Sequence, residues 1–112
     1  IYFSSLDKKK FILPEYDFSS RLNFLNLFIL KLNFKNLKKS KNKTISYLKK
    51  KGILVKTHYP PLSTLTLINN SLGKKLNYPE SMKYYRSAIS IPIYYDLKLN
   101  DQKKIIKILN KI

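Results

Sequence analysis

Apolar positions in this chain come in short runs separated by lysine-rich breaks, and their spacing alternates between that of a strand and that of a helix. From Leu22 to Leu32 the pattern has period two, with Leu22, Phe24, Phe28, Leu30 and Leu32 on one face and Leu25, Leu27 and Ile29 on the other. Apolar residues on both faces predict an inner strand covered on each side. After a polar loop (Asn33 to Lys39), Ser40 is placed to cap a helix whose buried face carries Ile45 and Leu48 and which Gly52 ends as the C′ residue. Ile53 to His58 predicts a second strand, broken by Pro60-Pro61, which cannot donate to a ladder. Thr64 to Leu72 predicts a short helix closed by Gly73. Pro79 suits the first position of a helix over Glu80 to Ala88, with Glu80 at its positive end. Ile89 to Tyr94 reads as a strand interrupted by Pro92, hence an edge strand or a strand end. Asn100 is expected to cap a last helix, Asp101 to Ile112, whose Ile105, Ile108, Leu109 and Ile112 form an i, i+3, i+4, i+7 stripe with Lys103, Lys107 and Lys111 on the wet side.

Upstream of these elements, IYFSSL (Ile1 to Leu6) reads as the last turn of a longer helix. A polar connector runs to Lys10, and Leu13-Pro14 leads into the irregular EYDFSSR. Alternating strands and helices predict an α/β fold: a small two-layer sandwich with a three- to four-stranded sheet covered by helices. At 112 residues the chain amounts to one domain or part of one. A first residue of Ile rather than Met suggests a cut, a processing site or a sequencing boundary.

Composition changes the picture in two ways. The 44% hydrophobic and 13% aromatic content is too apolar for a disordered chain. The formal charge of +17 invites a nucleic-acid partner. Against that, Arg stands only at positions 21 and 86, and the lysines are scattered along the chain rather than concentrated in one element. With so much Lys, Asn and Ile and so little Ala, Val and Gly, the bias of an A/T-rich genome accounts for the charge without a ligand. A small Lys-rich nucleic-acid-binding module stays as the alternative reading, and an interaction domain without chemistry as a third. No signal sequence is visible and the apolar run Leu27 to Leu30 is too short for a bilayer, so a cytoplasmic location is the default.

Few kinds of chemistry remain. One His and no Cys exclude a usual zinc site and a thiolate nucleophile. Two distant glycines make neither a P-loop nor a dinucleotide fingerprint. The sequons Asn42-Lys43-Thr44 and Asn69-Asn70-Ser71 are what an Asn-rich chain generates by chance. His58 and Tyr59 stand out because they end a strand directly before a rigid Pro-Pro break, where α/β folds bring side chains to ligands.

The ordered set LFILKL (Leu27 to Leu32), YLKKKGI (Tyr47 to Ile53), HYPP (His58 to Pro61), YPESM (Tyr78 to Met82), ISIPIYYDL (Ile89 to Leu97) and LNDQ (Leu99 to Gln102) resembles the C-terminal end of the PLP-dependent sugar-nucleotide aminotransferases, the DegT–DnrJ–StrS group of fold-type I enzymes. The resemblance runs from Leu13 to the C-terminus. It implies that residues 1–21 are the end of an interdomain helix and a connector, and that residues 22–112 are the aminotransferase C-terminal small domain. The implied parent is a homodimer that uses pyridoxal 5'-phosphate to move an amino group from glutamate to a keto-sugar nucleotide, as in polysaccharide biosynthesis. Its PLP lysine, acidic pyridine partner and phosphate-binding groups would belong to a large N-terminal domain absent from this chain. No catalytic, cofactor-binding or metal-binding residue is therefore expected here, and the isolated chain is expected to be inactive. By the same resemblance His58 and Tyr59 contact the sugar nucleotide, with Arg86 and Tyr94 as further substrate-binding candidates. Two positions depart from the family pattern. Ser63 stands where a second His is common, and Met82 replaces the Glu of the "P-x-A-E" motif.

Overall fold

A computed structural model describes residues 1–17, 19, 25–72 and 77–112. Among them, helix α1 (Tyr2–Ser5) precedes strand β1 (Phe11–Ile12), strand β2 (Phe28–Leu32), helix α2 (Lys41–Lys50) and strand β3 (Lys56–Thr57). A 3-10 turn (Leu62–Thr64) then leads to helix α3 (Thr66–Ser71), helix α4 (Pro79–Ser87), strand β4 (Ala88–Ile91) and helix α5 (Leu99–Leu109). The strands form one antiparallel sheet in the order β1-β2-β4-β3. The expected α/β class with a four-stranded, helix-covered sheet is what the chain forms.

Helix α2 follows its punctuation. Ser40 Oγ accepts from the Lys43 amide, and Gly52 takes the left-handed conformation (φ 77°) just past the end. The amides of Gly52 and Ile53 donate to the carbonyls of Lys49 and Leu48, which is a Schellman cap, and Ile53 and Leu48 are both buried. That cap consumes the start of the expected second strand. Ile53 serves the helix end, so β3 is confined to Lys56–Thr57.

Strand β2 is also shorter than its apolar run. It spans Phe28–Leu32, and residues 22–24 lie outside the described residues. Phe28, Leu30 and Leu32 are buried on one face as expected, but Leu27 is 45% exposed, so the second face is not fully covered. The strand covered on both faces is β4, where Ala88, Ile89, Ser90 and Ile91 are all buried and which pairs with β2 on one edge and β3 on the other. Pro92 marks the end of this inner strand and does not put it at an edge. Helix α5 begins at Leu99, ahead of the expected Asn100 cap; Lys98 occupies the cap position without a side-chain bond, and Asn100 lies in the first turn.

The N-terminal segment packs into the same core. Tyr2, Leu6 and Phe11 join Phe28, Leu48, Ile89 and Leu109 in one buried cluster. Asn110 ties the ends together: its Oδ1 accepts from the Asp7 amide at 2.9 Å, its Nδ2 donates to the Ser5 carbonyl at 2.8 Å, and its carbonyl accepts from Lys10 Nζ at 2.7 Å. Strand β1, which the sequence pattern did not reveal, continues from this tie into β2, pairing Phe11 with Leu32. Among the described residues no helix is long and apolar enough to cross a membrane.

Tyr2 Oη donates to the Pro92 carbonyl at 2.9 Å, bridging α1 to the end of β4. Burial, and then the neighbouring Tyr94 phenol, push the Tyr2 phenol up to about 12. A raised folded-state value means that the neutral phenol favours the folded chain; this contribution is whole below the ordinary value near pH 10 and is lost as pH climbs toward 12. Denaturant titrations should therefore show wild type losing about 2 to 3 kcal/mol more than Tyr2→Phe across that window. Parallel stability curves would contradict this assignment. Gly52→Ala should cost about 1 kcal/mol by the same measurement, and Gly52→Asn less. An added Cβ would meet nothing within 4 Å, so the whole cost is backbone strain.

Candidate functional site

His58 and Tyr59 leave the sheet at the end of β3, and the register of β3 with β4 fixes where they go. Lys56 lies opposite Ser90 and Thr57 opposite Ile89, so His58 continues past the start of β4, toward the end of α4. Pro60 and Pro61 hold the exit extended. The His58 side chain is half-buried, and its Nε2 is buried without a hydrogen-bond partner among the described residues. Tyr59 is 90% exposed.

Tyr59 borders an open groove of about 820 Å³ between the 3-10 turn, α3 and α4. Ser63, Tyr78, Glu80, Tyr84 and Tyr85 line it too, giving phenolic hydroxyls on an aromatic wall with one carboxylate. Arg86 lies in a smaller neighbouring hollow with Ser40, Lys41, Thr57 and Tyr85. Tyr85 lines both, so His58, Tyr59 and Arg86 gather at one end of the sheet. Tyr94 does not join them. It lies beyond the other end of β4, 59% exposed, in a different groove with Lys56 and Lys104. The two departures from the family pattern separate in the same way. Ser63 sits in the Tyr59 groove, whereas Met82 is half-buried in another hollow, which Ile12 and Leu32 line together with Arg86.

Lys41 is the residue of this end that sequence reasoning missed. At the first position of α2 it donates from Nζ to the Tyr85 carbonyl in the last turn of α4, and its ammonium lies 4.8 Å from the Tyr85 ring centroid. Burial lowers its pKa below the usual lysine range. A cation at the negative end of α4 satisfies an otherwise unpaired carbonyl and fixes α4 against α2. Nothing in the sequence separated it from the other lysines, because its role depends on where α4 ends.

These residues do not fit a pyridoxal phosphate site. The amine of Lys41 is engaged by a carbonyl and a ring, and no carboxylate lines its hollow to hold a pyridine nitrogen. Among the described residues no cluster of His, Cys, Asp or Glu suits a metal ion.

The model of the DegT/DnrJ/EryC1/StrS aminotransferase family matches residues 3–110. Among solved structures, the putative sugar aminotransferase Spr1654 from Streptococcus pneumoniae in its PLP form superposes on 98% of the chain with a TM-score of 0.78 and 23% identity. In its PMP form it covers 76% with a TM-score of 0.64 and 27% identity. Helicobacter pylori PseC, an aminotransferase involved in the biosynthesis of pseudoaminic acid, covers 76% with a TM-score of 0.67 and 24% identity. The chain spans only 28%, 21% and 22% of those three chains. No curated protein matches.

His58 Nε2 has no partner among the described residues, so removing it relieves a buried unsatisfied group. His58→Leu is then expected to leave the chain's melting midpoint unchanged or raise its stability by up to about 1 kcal/mol. A clear loss of stability would mean that the imidazole is already satisfied internally.

Proposed function

The chain belongs to the DegT/DnrJ/EryC1/StrS aminotransferase family, and from that premise we propose that it is the C-terminal small domain of a PLP-dependent enzyme that moves an amino group from glutamate to a keto-sugar nucleotide. Residues 22–112 form that domain in this reading, and residues 1–21 the end of the interdomain helix and its connector. The lysine that holds the cofactor belongs to a large domain outside this chain, and the parent enzyme is a cytoplasmic homodimer. Alone, the chain is inactive.

The observation that carries this reading is the pairing of a buried His58 Nε2, unpartnered among the described residues, with a 90% exposed Tyr59 at a pinned strand end. A buried nitrogen without a partner is costly, and an incoming hydroxyl removes that cost by sharing a hydrogen bond with it. Tyr59 offers a flat apolar face and one hydroxyl, the combination that suits a sugar ring. Arg86, at the same end, is available to an anionic group of the substrate. Tyr94, at the far end of β4, has a weaker claim on the same ligand. Ser63 shares the Tyr59 groove, so its departure from the family pattern bears on which substrate is accepted. Met82 lines a separate hollow with Ile12, Leu32 and Arg86.

Two measurements test this. The coding DNA upstream of Ile1 should extend the frame into a domain with the PLP lysine; a ribosome-binding sequence and start codon directly before Ile1 would count decisively against it. In the full-length enzyme, His58→Ala and Tyr59→Phe should each raise KM for the sugar nucleotide about tenfold, the loss of a hydrogen bond worth about 1.4 kcal/mol. The half-reaction with glutamate should be untouched. Equal damage to both half-reactions would assign the two residues to folding.

A further inference from the structure

Lysines from three different elements meet in one groove of about 540 Å³ between β3, the end of β4 and α5. Lys51 comes from the C-cap of α2, Lys56 from β3 and Lys104 from α5. The volume lies within the range of small-molecule sites, roughly 300–1,000 Å³. None of the three lysines forms an ion pair among the described residues, where the salt bridges are Lys10–Asp7 and Lys83–Glu80; Lys51 Nζ lies 6.0 Å from the Tyr47 ring centroid. The groove's floor is aliphatic, with Ile53, Ile93 and Leu97 among its walls, and Leu54 stands 76% exposed at its edge. Of its neutral polar groups, which come from Asn26, Ser90 and Tyr94, Ser90 Oγ already donates to the Lys56 carbonyl.

Charge and surface together define an occupant. Three ammonium groups less the one lining carboxylate, Asp101, leave a local charge of +2 (3 − 1). A phosphomonoester carries about −1.5 to −2 at neutral pH, whereas a simple carboxylate brings only one charge. Lysines present point charges and no planar fork, so the head need not be bidentate. The aliphatic floor favours a hydrocarbon body over a sugar or a base, because few polar groups are free to read hydroxyls or ring nitrogens. A nucleic-acid strand would want stacked aromatic platforms, and Tyr94 is the one ring in the groove. We infer that this groove binds an anionic amphiphile with a phosphomonoester head and an aliphatic body, the head among Lys51, Lys56 and Lys104 and the body along Ile53, Ile93 and Leu97. Neither His58 nor Tyr59 lines this groove, although Lys56 is two residues before His58 and Tyr94, the weaker substrate candidate, is on its wall.

Isothermal titration of the chain with decyl phosphate below its micellar concentration tests this, with inorganic phosphate and neutral octyl glucoside as comparison ligands. Decyl phosphate is expected to bind at least tenfold more tightly than either, and more weakly as salt is raised. Replacing both Lys56 and Lys104 with Met should weaken decyl phosphate roughly tenfold or more. Lys103→Met, which changes an exposed α5 lysine outside the groove, should leave it unchanged. Both altered side chains of the double variant are exposed, and retained far-ultraviolet dichroism would confirm that it folds. Inorganic phosphate binding as tightly as decyl phosphate would remove the apolar floor from the site. Equal weakening by Lys103→Met would reduce the effect to net charge. Either result overturns the assignment.

Discussion

The burial of β4 on both faces and both edges is the constraint around which this small fold is organised. Four consecutive residues, Ala88 to Ile91, have almost no solvent contact. A strand so enclosed must satisfy its backbone groups on two ladders, which β2 and β3 supply, and must be covered by side chains on both faces. Ile89 and Ile91 alone gain roughly 1.5–3 kcal/mol each from full burial. Leu48 on α2 and Leu109 on α5 are drawn into the same cluster, as are Tyr2 and Leu6 from the N-terminal segment. Pro92 follows as soon as the ladders end, and the Tyr2 hydroxyl takes its carbonyl. The strand end is thus anchored to the first helix by one hydrogen bond.

A chain with a formal charge of +17 folds around this strand because the charge is kept at the rim. Among the described residues the two salt bridges are a half-exposed pair and a highly exposed one, Lys10–Asp7 and Lys83–Glu80, and surface pairs of this kind contribute little. The longer-range polar ties are neutral or backbone-directed. Asn110 joins α5 to the N-terminal connector, and Asn33 and Asn36 both donate to the Lys9 carbonyl. Lys10 and Lys41 each also donate to a backbone carbonyl, Lys10 to that of Asn110 and Lys41 to that of Tyr85. A lysine-rich composition is therefore compatible with a specific fold, provided the core and its amide ties do the specifying.

Legibility in the sequence followed the strength of local punctuation. Helix α2 was readable because Ser40 and Gly52 each leave one conformational option at its ends, and the α5 stripe because its apolar residues recur at helical spacing. The strands were readable as apolar runs but not in length. Ile53 suits a strand and a helix cap equally well, and only the cap geometry decides. The two-residue β1 leaves no periodicity to detect. The expectation that both faces of β2 are covered belonged to β4, since an apolar alternation does not reveal which strand lies in the middle of the sheet. Asn100 has the chemistry of a cap, yet the helix begins one residue before it. At the candidate site, His58, Tyr59 and Arg86 were singled out and do gather at one end of the molecule. Tyr94 was grouped with them although an antiparallel register sends it to the other end. Lys41 was invisible because its partner, the Tyr85 carbonyl, is a backbone atom whose availability depends on where α4 stops.

The position of His58 also follows from the shortness of β3. A longer edge strand would carry the ladder through residue 58, and its side chain would then alternate with the sheet's faces. Here pairing covers only Lys56 and Thr57, and two prolines take over immediately. The imidazole follows directly on Thr57, which lines a hollow with the start of α2 and the end of α4. The side chain is half-buried there, and its Nε2 is buried without a partner among the described residues. Had this position been built for stability alone, an apolar residue would fill it at lower cost. In the proposed reading a ligand completes the hydrogen bonding of this histidine, and the exposed ring of Tyr59 lies next to it in the chain.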